Sequence, residues 1–166
     1  MAAPEESFHT KSYLEIKLRD NAYAVPVELV REIDQVGDIT PLPNSAPHVC
    51  GLMNLRGQVI PVIDLIVRLG EPRSGLTRES CVVVVEGFDG IVGMLVDGVT
   101  RVLNIPTTAI LPPPETCHLQ DRTLVTAIAQ DGNRMVTLLN IIHCLEAPAK
   151  QSEKVNKPLD LEAVKL

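Results

Sequence analysis

The sequence predicts a mainly β protein: two related five-stranded units built around a shared hydrophobic core, with short helices after hairpins. Three observations carry this. The apolar residues fall into short, often β-branched runs bounded by turn signals. There is no Trp and there are only two Tyr and two Phe, so a core must be assembled from Val, Ile, Leu and Ala. Two stretches of the chain also recur later, in the same order.

Taken in order, Ser12 to Leu18 alternates, with Tyr13, Glu15 and Lys17 on one face and Leu14, Ile16 and Leu18 on the other. Asp20-Asn21 turns the chain into Ala22 to Pro26. Pro41, Pro43 and Pro47 mark an irregular loop. Leu52–Leu55 and Val59–Val62 flank Gly57-Gln58 as a hairpin, and Ile63 to Leu69 carries a short helical pattern. A polar connector, Glu71 to Glu79, precedes the β-branched run Cys81 to Val85. Asp89-Gly90 then turns into Ile91–Val96. After a second irregular loop at Pro112-Pro113-Pro114, Asp131-Gly132-Asn133 joins Val125–Ala129 to Arg134–Leu138. Asp-Gly between apolar runs is among the stronger hairpin signals. Leu139 to Leu145 is a second short helical pattern.

The repeat is read directly. Ala24-Val-Pro-Val27 followed by Glu28-Leu-Val30-Arg-Glu-Ile33 matches Gly93-Met-Leu-Val96 followed by Asp97-Gly-Val99-Thr-Arg-Val102, at an offset of 69. Ile60 to Leu69 matches Val136 to Leu145 at an offset of 76. Asp64 and Asn140 fall at the two strand-to-helix junctions, where a side-chain oxygen can cap exposed N–H groups. Units of about 65 residues are marginal alone, so they should share a core. The expected organisation is a tail over residues 1–11, a domain over 12–147 with units of roughly 12–75 and 80–146 that could be intertwined, and a C-terminal tail over 148–166. The last segment mixes charges with two prolines and little periodicity.

Composition narrows function. The formal net charge of −6, with few aromatics, argues against nucleic-acid binding. No apolar stretch approaches the ~20 residues of a bilayer span, and the N-terminus lacks the pattern of a signal peptide; the expectation is a soluble, cytoplasmic chain. Cys50, Cys81, Cys117 and Cys144 are scattered, with no C-x-x-C pair. Histidines stand near three of them (His48, His118, His143), but zinc sites usually pair ligands two to four residues apart, so no metal or cofactor is expected. No phosphate loop, nucleophile elbow, H-E-x-x-H or dinucleotide fingerprint occurs. An enzyme is not expected.

At Asn54-Leu-Arg56-Gly57-Gln-Val-Ile-Pro61-Val-Ile-Asp64-Leu65 the chain resembles the CheW family of chemotaxis coupling proteins. The likeness extends to Tyr23-Ala-Val-Pro-Val27 with Val30-x-Glu32-Ile33, to Val92-Gly-Met-Leu-Val-Asp97-Gly-Val99, to Ile110-Leu-Pro-Pro-Pro-Glu115 and to Asn133-Arg-Met135 with Leu139-Asn140-Ile141. It covers roughly residues 12 to 146. The resemblance implies two SH3-like five-stranded β-barrels sharing a hydrophobic core. It implies a non-enzymatic adaptor that couples chemoreceptors to the CheA histidine kinase in arrays at the membrane. The alternatives are a structural ring or localisation module of a divergent or type IV pilus system without direct kinase control, and a small-barrel enzyme or metal protein.

The resemblance also implies sites. A receptor's cytoplasmic helical hairpin tip would dock between the barrels, as a helix in an apolar groove. Val27, Val30 and Glu32 would line one side, with Gly51 and Arg56 nearby, and Val82, Gly93, Val99 and Val102 the other. For Val30 and Val99 the competing reading is core packing, and for Arg56 it is anchoring of a loop. The kinase's regulatory domain, or another copy of the coupling protein, would pair at the barrel ends, with Val59, Ile60, Leu111 and Leu119 as candidates. Neither nucleic acid nor membrane insertion is implied.

Overall fold

A computed structural model describes residues 9–73, 75–87, 89–115 and 122–146. The strands are β1 (Thr10–Leu18), β2 (Asn21–Pro26), β3 (Val30–Gln35), β4 (Ile39–Thr40), β5 (Val49–Leu55), β6 (Gln58–Asp64), β7 (Cys81–Gly87), β8 (Gly90–Val96), β9 (Gly98–Pro106), β10 (Ile110–Leu111), β11 (Val125–Asp131) and β12 (Arg134–Leu139). Helices α1 (Leu65–Arg68) and α2 (Ile141–Leu145) follow β6 and β12. The strands form two six-stranded sheets, ordered β3-β7-β8-β6-β5-β4 (the first barrel) and β10-β11-β12-β2-β1-β9 (the second). Each holds the five strands expected of a unit, with a two-residue strand added at one edge. Among the described residues no helix is long and apolar enough to cross a membrane.

Exchanging β1–β6 with β7–β12 converts one sheet order into the other. The duplication is therefore present in the tertiary structure. Equivalent capping bonds repeat it: the Asp64 amide donates to the His48 carbonyl at 2.7 Å, and the Asn140 amide to the Leu124 carbonyl at 2.8 Å. Asp64 Oδ1 accepts from the Ile66 amide at 3.1 Å, and Asn140 Oδ1 from the His143 amide at 3.2 Å, so both residues cap their helices as expected.

The sheets do not coincide with the sequence halves 12–75 and 80–146. β1 and β2 sit in the second barrel, whereas β7 and β8 sit in the first. The exchange happens at two junctions. Residues 27–29, a single 3-10 turn, join β2 to β3, and Asp97 alone joins β8 to β9. Neither junction holds the left-handed residues that fold β5 back onto β6 at Arg56-Gly57, and the chain runs on from one sheet into the other.

The core has three layers. Leu14, Ile16, Val25, Leu65, Val83, Val85, Met94, Leu139 and Ile141 form a shared layer drawn from both sheets. Met53, Ile60, Val62, Val82 and Val84 fill the first barrel; Tyr13, Ala24, Leu103, Ile105, Ala129, Val136 and Leu138 fill the second. β7 thus buries Val82 and Val84 on one face and Val83 and Val85 on the other. That double coverage is why its sequence reads as an unbroken apolar run rather than an alternation.

Candidate functional site

The two chain crossings bring Val27, Val30 and Val99 to the margin of the shared layer. Val27 lies in the 27–29 turn, Val30 begins β3 and Val99 follows Asp97; all three are half-buried and pack against the shared cluster. In register, Val30 stands opposite Val85 and Val99 opposite Ile16, both fully buried. Val102, opposite Leu14, continues that face outward and is 52% exposed. These four carry the shared core to the surface. Val27 also lines a cleft of about 530 Å³ with Tyr13, Glu28, Leu138 and Leu139. Burial, and then the Glu28 charge, raise the pKa of the Tyr13 hydroxyl above its ordinary value.

Glu32 and Arg56 come together differently. A bulge between Val30 and Glu32 turns Glu32 to the barrel face of β3, opposite Val84, where Arg56 Nη1 lies 3.4 Å from its Oε2. Arg56 and Gly57 have φ of 50° and 86°, the two left-handed residues of a type I′ hairpin turn. Asn54 Oδ1 accepts from the Gly57 amide at 2.8 Å and fixes that turn. The hairpin is therefore centred one residue earlier than Gly57-Gln58. Its tip ties down β3, a free edge of the first sheet. The neighbouring Asp34 carboxyl raises the Glu32 pKa, and the Arg56 charge pulls against that rise.

The second barrel repeats this tie with opposite polarity. Arg101, the repeat mate of Glu32, lies on the edge strand β9, with Asp131 of the β11–β12 hairpin 3.1 Å away. Arg101 and Arg134 also converge on Glu15, whose side chain is almost wholly buried. Sequence alternation placed Glu15 on the face of Tyr13, but only the tertiary structure supplies its cations: Arg101 through the pairing of β1 with β9, and Arg134 from β12. Arg68 is a second unforeseen fastener, donating from Nε to the Cys144 carbonyl and from Nη2 to that of His143, both at 3.0 Å.

Glu32 faces the first barrel with Arg56 beside it, and three further expected groove residues also lie away from this margin. Val82 is fully buried in the first-barrel core. A Cβ on Gly93 would meet Val82 Cγ1 at 2.7 Å, so that glycine makes room for barrel packing. Gly51 has φ of 144°, and a Cβ there would lie 2.0 Å from the Thr40 carbonyl oxygen; it serves the approach of β4 to β5. Of the residues expected at the barrel ends, Val59 is 60% exposed and Leu111 is exposed, but Ile60 points into the first-barrel core. Adjacent strand residues face opposite ways. Leu119 lies outside the described residues.

Among the described residues there is no group of three or more His, Cys, Asp or Glu that could hold a metal ion. Burial raises the pKa of the Cys50 and Cys81 thiols, and burial, then the Arg68 charge, lower that of His48. The arrangement offers an apolar margin flanked by fixed ion pairs, which suits binding.

Residues 12–149 match the family model described as CheW-like domain. The chain is 30% identical over 131 residues to a probable chemotaxis protein CheW of Rhizobium etli, covering 79% of this chain and 84% of that protein. It is 31% identical to the chemotaxis protein CheW of Bacillus subtilis (78% and 83% covered) and 30% identical to the protein FrzA of Myxococcus xanthus (91% and 92%). The crystal structure of the scaffolding protein TtCheW from Thermoanaerobacter tengcongensis superposes with a TM-score of 0.79 at 29% identity, covering 86% of this chain and 97% of that one.

Proposed function

This chain belongs to the CheW-like domain family, and on that premise we propose that it is a non-catalytic adaptor coupling chemoreceptors to a CheA-type histidine kinase in a chemosensory array. The receptor's helical hairpin tip docks on the margin formed by Val27, Val30, Val99 and Val102. The observation that carries this reading is the half-burial of the first three on the shared core with Val102 exposed beyond them. An amphipathic helix laid there would complete the layer's apolar burial, in the helix-in-groove manner. Glu32 and Arg56 sit on the other face of β3, and their role is to hold that edge strand in place beneath the helix. Val59 and Leu111 remain as contacts for the kinase's regulatory domain or for another copy of this chain.

The test is reconstitution. Receptor-bearing membranes, kinase and this protein should form a complex that sediments, with kinase activity responding to receptor ligand. Sedimentation of this protein with kinase but never with receptor would refute the docking assignment. Recruitment of all three without any change in kinase activity would refute kinase control.

A further inference from the structure

β2 and β12 pair only through Tyr23 with Thr137 and Ala24 with Leu138. Past that short ladder lies the cleft of about 530 Å³ in the second barrel, with Pro26 and Leu138 as apolar walls and Lys11, Tyr13, Glu28 and Thr126 as its polar side chains. Its volume falls within the range of small-molecule sites, about 300–1,000 Å³. Val27 is the one residue it shares with the proposed receptor margin.

Two of these polar groups lack the partners their surroundings call for. Tyr13 is 8% exposed, yet its hydroxyl makes no hydrogen bond among the described residues, whereas a buried phenol ordinarily finds one. The Glu28 carboxylate forms no ion pair among the described residues. The charge that acts on the Tyr13 hydroxyl is that of Glu28, not that of the exposed Lys11.

The repeat offers a comparison from the first barrel. Thr126 and Cys50 are mates at the offset of 76, each the extra residue of a bulge. On Cys50 lies a cationic side chain of the connector: Arg73 Nη2 is 3.8 Å from Cys50 Sγ, and its Nε is 3.0 Å from Asp64 Oδ2. Gly70, with φ of 93°, ends α1 in the left-handed turn common after helices, and the Glu71 amide donates back to the Ile66 carbonyl at 3.1 Å. Glu146, its mate, has φ of −76° and ψ of 138°, so the chain makes no such turn after α2.

We infer that the second-barrel cleft binds a small organic cation, an alkylguanidinium or alkylammonium, the chemistry with which the chain covers the matching bulge of its first barrel. The charged head sits between the Glu28 carboxylate and the Tyr13 hydroxyl, whose oxygen accepts from one of its N–H groups. The alkyl stem lies on Pro26 and Leu138.

Propylguanidinium, an arginine side chain without its backbone, is the probe. Its binding is followed by calorimetry and through the ring NMR signals of Tyr13, one of only two tyrosines in the chain. The parent should bind it with a shift of those signals, and butyrate, an anion of similar size, should leave them unmoved. Tyr13→Phe should unfold at the parent's temperature, because the hydroxyl removed had no partner, yet bind the probe at least fivefold more weakly. Glu28→Gln should weaken it at least tenfold, and Lys11→Gln should bind as well as the parent or better. Absence of any shift with the parent at millimolar probe overturns the inference, as does equal binding by the parent, Tyr13→Phe and Glu28→Gln. Binding of butyrate that Lys11→Gln abolishes would make the cleft an anion site and overturn it too. Receptor and kinase co-sedimentation should stay at parent strength in Glu28→Gln; loss of either would give the cleft to a partner protein, refuting the small cation while leaving the proposed function standing.

Discussion

Replacing Val99 with glutamate separates partner docking from core packing. Val99 is half-buried, so the isolated protein loses roughly half the 1.5–3 kcal/mol of a fully buried valine, about 1 kcal/mol. The carboxylate itself can stay in water. For a domain of this size that is a drop of a few degrees in the unfolding midpoint. Beneath a docked helix the same carboxylate would be stripped of water with no cation supplied, at a cost of several kcal/mol. Since each 1.4 kcal/mol is tenfold in affinity, receptor binding should weaken at least a hundredfold. Ile16, opposite Val99 in register and wholly buried, provides the contrast: Ile16→Glu forces a carboxylate into the shared layer and should unfold the chain. The assay pairs thermal unfolding with receptor co-sedimentation. Parent-like receptor binding by a folded Val99→Glu protein would refute the reasoning. Outright unfolding of that variant would show that Val99 is simply core.

The buried carboxylate of Glu15 is held by cations that are themselves largely exposed. Arg101→Ala combined with Arg134→Ala should therefore cost about 3–5 kcal/mol in denaturant unfolding, whereas Glu15→Gln should cost clearly less; equal losses would count against a paired buried charge. Gly51→Ala forces a Cβ onto the Thr40 carbonyl and should abolish folding, while Gly57→Ala, with open space around it, should lose about 1 kcal/mol from its left-handed φ alone. Comparable midpoints for the two would contradict the placement of β4 against β5. His48 is neutral in the fold because burial lowers its pKa, so its contribution is present above the unfolded value near 6.5 and is lost as pH falls below it. Unfolding of the parent and of His48→Gln between about pH 7 and 5 should diverge in slope by up to about 1.4 kcal/mol per pH unit; parallel curves would mean the imidazole is solvated.

Eight of the twelve strands, the two capped helices and the duplication were legible in the sequence, because these rest on local physics. Turn chemistry at Asp89-Gly90 and Asp131-Gly132, an oxygen at Asp64 and Asn140, and apolar period are all short-range signals. The repeat also marked Val30 and Val99 as a related pair before their surroundings were known. Ile33 was equally legible as the mate of Val102, but nothing local distinguishes an exposed branched residue on an edge strand from a buried one. Tertiary structure alone decided that the halves exchange their first hairpins, since no local signal says whether β2 and β8 turn back after Pro26 and Val96 or run on into the other sheet. It also decided which apolar residues face out. Val82, Gly93 and Ile60 lie in the same kinds of run as Val30, Val59 and Val99, and only strand register assigns a residue to one face or the other. Register depends on contacts far apart in sequence, such as β1 with β9 and β3 with β7, whose partners no local window contains.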